Sequence, residues 1–196
     1  MPLDEDQVAA VKKLVWSGMH SRSRIVEILT EELYYPQGGG SPIEVGTLVD
    51  TETRTKIEQE KSWPVQTDCD RLEFLFASLN KRGVAAVMNA GFDTSDGFDQ
   101  VDSLCSQRGG PGPQCFGFCF YHTQDMERAQ DGGGLYLAFG DFSGKEDKGV
   151  AIGKLVASEA RACGFTVVWD ETSNRRILLR PFNWQKRGFP KDNPCN

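Results

Sequence analysis

Residues 116–139 read FGFCFYHTQDMERAQDGGGLYLAF and hold two strands with a helix between them. Phe116 to Tyr121 is a short, aromatic-rich apolar run, which predicts a strand. Residues 123–130 are polar; Thr123 can cap a helix there, and Asp125 suits its first turn. Gly132-Gly133-Gly134 resets the chain, and Leu135 to Phe139 predicts the next strand. A parallel crossover needs about a dozen residues or more, so with so short a helix this pair can also be antiparallel.

Upstream, Thr67 or Asp68 caps a predicted helix running to about Arg82, with Leu72, Leu75, Phe76 and Leu79 as its stripe and Gly83 as its stop. Val84 to Met88 predicts a buried strand, Asn89-Ala90-Gly91 a turn, and residues 96–107 a helix. Downstream, residues 147–162 predict a long helix. Phe165 to Trp169 and Arg176 to Arg180 predict a closing hairpin. The N-terminal part is helical. Residues 4–17 form one helix, and Ser21 or Ser23 caps a second with Ile25, Ile28, Leu29 and Leu33 on one face. Pro36 and the run Gly38 to Pro42 stop it, and Thr51 to Lys61 predicts a third, mostly solvated helix.

This order predicts an α+β (or α/β) protein: a mixed sheet of about five strands packed by helices, with an N-terminal helical hairpin extension. The extension is expected to cover residues 1–62, with residues 37–42 as a flexible joint, and the main domain 63–196. A chain of 196 residues, 39% hydrophobic and 26% charged, can bury a core without staples.

Lys and Arg number 22 against 28 Asp and Glu, a formal net charge of −6. That argues against non-specific nucleic-acid binding, which needs clustered cations; Lys186, Arg187 and Lys191 are too few. No apolar run reaches the length of a membrane helix, so no membrane partner is expected. The acidic start Asp4-Glu5-Asp6 does not fit a secretory signal, so a soluble cytoplasmic protein is expected. Its six cysteines are therefore expected as free thiols.

Three polar clusters follow predicted strands: Asn89 to Asp99, His122 to Arg128, and Gly140 to Gly144. In a parallel sheet all three share the carboxyl edge, where ligand sites form. The candidate ligand-binding residues are Asn89, Asp93, Asp96, His122, Gln124, Asp125 and Glu127. His122 titrates near neutrality, and Asp125 or Glu127 can orient it. Alternatively His122 simply ends a strand and the acids cap a helix. Asp93, Asp96 and Asp99 are spaced by three and can line a helix beside a hard cation, or Asp93 or Ser95 caps that helix.

Zinc fails on geometry. Cys115 and Cys119 in one strand stand about 13 Å apart at ~3.3 Å per residue, whereas Zn–S bonds are about 2.3 Å. There is no C-x-x-C, no G-x-S-x-G and no dinucleotide fingerprint. Cys119 reads as an inert core thiol, and the aromatics Phe116, Phe118, Phe120, Tyr136 and Phe139, with Trp63, Trp169 and Trp184, read as packing residues. No metal and no cofactor is expected.

Three motifs carry a family resemblance. They are Trp63-Pro64-x-x-Thr67-Asp68-Cys69-Asp70-Arg71-Leu72, then Phe118-Cys119-Phe120-Tyr121-His122-x-Gln124-Asp125-x-Glu127-Arg128-Ala129, then Gly133 to Gly140. Over about residues 1–187 the chain resembles an uncharacterised bacterial family defined by a domain of unknown function. The resemblance implies lineage and no activity. Two functions remain open: a non-catalytic binding or regulatory protein with a protein partner or self-association, and a small-ligand binder or enzyme using His122 and Asn89.

Overall fold

The computed structural model describes residues 3–32 and 41–190. Its helices are α1 Glu5–Ser17, α2 Arg22–Glu27 continued by a π-helical turn Ile28–Glu32, α3 Pro42–Glu60, α4 Asp68–Lys81, α5 Thr94–Gln107, α6 Thr123–Gln130 and α7 Glu146–Ala162. Its strands are β1 Val84–Val87, β2 Gly117–Phe120, β3 Leu135–Gly140, β4 Val167–Val168 and β5 Ile177–Leu179. The fold is α+β with a five-stranded mixed sheet, in the order β1-β2-β3-β5-β4.

Only β1 and β2 are parallel, joined by the crossover through α5. The remaining neighbours, β2–β3, β3–β5 and β5–β4, are antiparallel. The eight-residue α6 and the glycine turn behind it return β3 directly alongside β2. This topology separates the polar clusters. Those after β1 and β2 lie at one end of the sheet. The cluster after β3 lies at the other, so the expectation that all three share an edge is corrected. Asp141 and Ser143 of that third cluster instead rim an open cleft of about 510 Å3 with Phe116, Phe142, Ile152 and Leu155.

Small residues let the helices approach the sheet closely. A Cβ on Gly97 would stand 2.1 Å from the Phe120 ring, so α5 lies directly on β2. A Cβ on Gly153 would stand 2.5 Å from both Phe139 and Trp169, so α7 lies on the opposite face over β3 and β4. Phe118 and Phe120 fill the core under α5, joined by Val101 and Ala138. The other aromatics are less enclosed than expected: Phe116 is 40% exposed, and Tyr136 and Phe139 are half-buried.

Contacts divide the chain into two compact units, residues up to Thr67 with those from Gln185, and Asp68–Trp184. In the first, Val11, Val15, Ile25, Leu29, Val45 and Val49 form the core. Its third helix starts well before the expected Thr51. Ser41 caps it, the Glu44 side chain reaches back to the Ser41 N–H, and Pro42 opens it. Pro42 is therefore a helix starter, because a proline at the first helical position lacks only an N–H that has no helical partner there. Over Thr51 to Lys61 most of the helix is exposed, with Lys56 the exception: it is fully buried, 2.6 Å from Glu60 and 4.1 Å from the Phe189 ring centroid. Leu33, Pro36, the expected joint over 37–40, Lys191 and Cys195 lie outside the described residues.

One cysteine expectation is overturned. Cys105 and Cys115 form a disulfide across a separation of 10 residues. The fold brings the last turn of α5 against the residue preceding Phe116, a proximity that spacing alone does not encode. Cys69, Cys119 and Cys163 are not disulfide-bonded.

Candidate functional site

The turn after β1 carries the first candidates. Asn89 and Gly91 both take positive φ, 50° and 71°. That shape folds the turn back beside the end of β2, where the Ala90 N–H donates to Tyr121 O and the Thr123 N–H donates to Gly91 O. The Thr123 hydroxyl donates to Gly91 O at 2.9 Å and to Asn89 Oδ1 at 3.2 Å. Asn89 thus acts as a strut between two turns.

Asp93 and Asp96 form a reciprocal cap on α5. Asp93 Oδ1 accepts from the Ser95 and Asp96 N–H groups, and Asp96 Oδ2 accepts from the Phe92 N–H at 2.7 Å and the Asp93 N–H at 3.4 Å. Both carboxylates are turned to backbone donors. Among the described residues, no group of three or more His, Cys, Asp or Glu is placed to hold a metal ion.

The second cluster closes around His122. This residue is the N-cap of α6, one position earlier than the expected Thr123. It is only 3% exposed and Asp125 only 1%. Three groups approach the same imidazole nitrogen: Thr94 Oγ1 at 3.2 Å, Asp125 Oδ2 at 3.2 Å and Arg176 Nη1 at 3.4 Å from His122 Nε2. Arg176 Nη1 also donates to both Asp125 oxygens, at 2.9 and 3.0 Å, and Asp125 Oδ2 accepts from the His122 N–H at 3.3 Å. His122 Nδ1 is buried with no hydrogen-bond partner. Burial holds the His122 pKa below its ordinary value; the Asp125 carboxylate opposes that shift and the Arg176 guanidinium reinforces it.

This geometry has a chemical consequence. An imidazole that activates a hydroxyl takes its proton on one ring nitrogen and is held by a carboxylate through the other. Here Thr94 and Asp125 meet the same nitrogen, and no relay runs across the ring. The cluster joins α5, the start of α6 and the start of β5 into a buried polar clasp.

The structure therefore brings His122 and Asp125 together and places Asn89, Asp93 and Asp96 in the adjoining turn. Gln124 is exposed on α6 and Glu127 half-buried, and neither is hydrogen-bonded to His122. Thr94 and Arg176 were not among the sequence candidates. Arg176 reaches Asp125 across 51 positions, with no local pattern to announce it.

A family model described as a domain of unknown function, DUF6891, matches residues 3–188. The chain belongs to this family. The DUF6891 match takes in all three clusters and nearly all of both compact units. No curated protein and no solved structure matches the chain. No helix among the described residues is long and apolar enough to cross a membrane.

Proposed function

We propose that this protein is a non-catalytic binding or regulatory protein of the cytoplasm, acting on a protein partner or a second copy of itself. The observation that carries the reading is the convergence of Thr94, Asp125 and Arg176 on His122 Nε2. Such a clasp orients elements and presents no activated nucleophile. The neighbouring acids support the same reading, since Asp93 and Asp96 cap α5.

Native mass spectrometry beside the denatured mass, with sedimentation velocity over a range of concentrations, tests it. The expected result is a bare chain that self-associates or takes up a partner protein, with His122→Gln folded and unchanged in that association. A small molecule or metal retained by the native chain and lost from His122→Gln would overturn the reading in favour of a ligand site. The cytoplasmic assignment is tested by alkylating whole cells and weighing the protein. Cys105 and Cys115 are placed to bridge; a reducing cytoplasm holds such a pair as thiols that bridge only once the protein is isolated, whereas a disulfide already trapped in whole cells would place the chain in an oxidising compartment and overturn the assignment.

A further inference from the structure

Alternation along the last three strands sorts their side chains onto two faces. Leu135, Leu137, Ile177 and Leu179 are fully buried on the face that carries α7. Tyr136, Leu178 and Val168 form one row on the other face, since Leu178 is opposite both of its neighbours in register. On that side α5 packs on β1 and β2 and α6 on β3, while the helix packed on β4 is α7, behind the sheet. Val168 is 53% exposed, and the row floors an open cleft of about 560 Å3.

Cations border this apolar row. The guanidiniums of Arg176 and Arg128 lie 5.2 and 5.4 Å from the Tyr136 ring centroid. Arg175 stands at the rim with its side chain 79% exposed, 3.3 Å from a half-open Asp170. Asp125 and Asp170 each pair with one of these three arginines, which leaves the border of the row one positive charge in excess within a chain whose net charge is −6.

We propose that this cleft captures an acidic, aliphatic segment of a partner protein in extended form. The inference rests on the binding reading above and names its surface. An extended segment presents alternate side chains to one side, so apolar residues settle on the row while carboxylates meet the arginine rim. Arginine suits that role, because its planar fork pairs with carboxylates through two hydrogen bonds. A single-stranded nucleic acid fits less well. It needs open aromatic faces for stacking, whereas Tyr136 already carries two guanidiniums and Trp169, which also lines the cleft, is packed edge-to-face with Phe139.

The probe is a fluorescein-labelled octapeptide alternating Glu and Val, beside the same peptide with every Glu replaced by Gln. Anisotropy is followed with the full chain, with Arg175→Glu and with Val168→Glu; both substituted side chains are exposed, and circular dichroism checks their folding. The Glu peptide is expected to bind saturably and to weaken as salt rises from about 50 to about 300 mM. The Gln peptide and both variants are expected to bind at least about tenfold more weakly. No saturable binding, or binding to either variant as tight as to the unaltered chain, would overturn the proposal. So would tighter binding of an oligouridine, or a dimer that Val168→Glu dissolves without affecting the peptide. Failure here with partner uptake intact in native mass spectrometry removes only this surface; a ligand lost on His122→Gln removes the binding reading itself.

Discussion

His122 shows how one residue can be polar, buried and still structural. Its Nε2 is crowded by a hydroxyl, a carboxylate and a guanidinium, and its Nδ1 faces no donor or acceptor. Protonating the ring in the folded state must overcome burial and the Arg176 charge, against the attraction of Asp125 and, more weakly, of Asp93 and Asp96. The folded pKa therefore lies below the unfolded value of about 6.5. As pH falls through that value the unfolded chain takes the proton first, so folding stability drops progressively from about pH 6.5 down to the folded pKa. His122→Gln is expected to lack this part of the slope. Urea midpoints between pH 5 and pH 8 would check it: parallel curves for the two proteins would show that His122 contributes nothing to the pH dependence.

Elements, too, are closed by side chains. β1 is an edge strand, and the Asn80 amide from α4 accepts from the Ala86 N–H at 3.1 Å and donates to Ala86 O at 2.8 Å. Arg108 donates to Val84 O at 3.3 Å and to Asn80 Oδ1 at 2.6 Å, completing the seal. Unsealed edges invite pairing with other chains. Asn80→Ala is expected to lose about 2 kcal/mol, since it strands two buried backbone groups, and to aggregate faster on heating. Chemical denaturation with light scattering measures both, and an unchanged midpoint would refute the seal. At the far end of α5, the Cys105–Cys115 bond closes a loop that backbone bonds between Gly112 and Cys115 already tighten. Reduction is expected to lower stability by about 2–3 kcal/mol, from the loop entropy returned to the unfolded chain. A denaturation midpoint insensitive to reductant in the wild type, or a reductant effect equally large in Cys105→Ala, would count against it.

At the scale of the whole molecule, the residues from Gln185 group with the first compact unit. Lys186 packs where a Cβ on Gly18 would stand, 2.8 Å from its Cγ. The Gly188 N–H donates to Glu60, Gly188 O accepts from Lys56, and Phe189 stacks on that ammonium. Ending the chain after Trp184 takes the Gly188 carbonyl and the Phe189 ring from a buried lysine that keeps Glu60, and a buried polar group that loses a hydrogen-bond partner costs stability. Hydrogen exchange in such a truncation is expected to show lost protection in α1 and α3 while β1 and β2 keep theirs. Uniform loss across both units, or none, would contradict this division of labour.

Local chemistry makes most elements legible in the chain itself. The apolar runs before Asn89 and His122, the glycine breaks at Gly83 and Gly132 to Gly134, and the stripe of α4 each report a choice made within a few residues. Pro42 misled because proline both stops and starts helices, and only its neighbours Ser41 and Glu44 distinguish the two. Of the clasp and the adjoining turn, His122, Asp125, Asp93 and Asp96 are legible as a polar group, since each follows a strand. Packing of distant segments sets the rest: β3 runs antiparallel, Cys105 meets Cys115, Arg176 closes on Asp125, and Tyr136, Leu178 and Val168 share an open row. Each of these last is a meeting of residues far apart in sequence, and such meetings follow from strand order and packing, which no local pattern encodes.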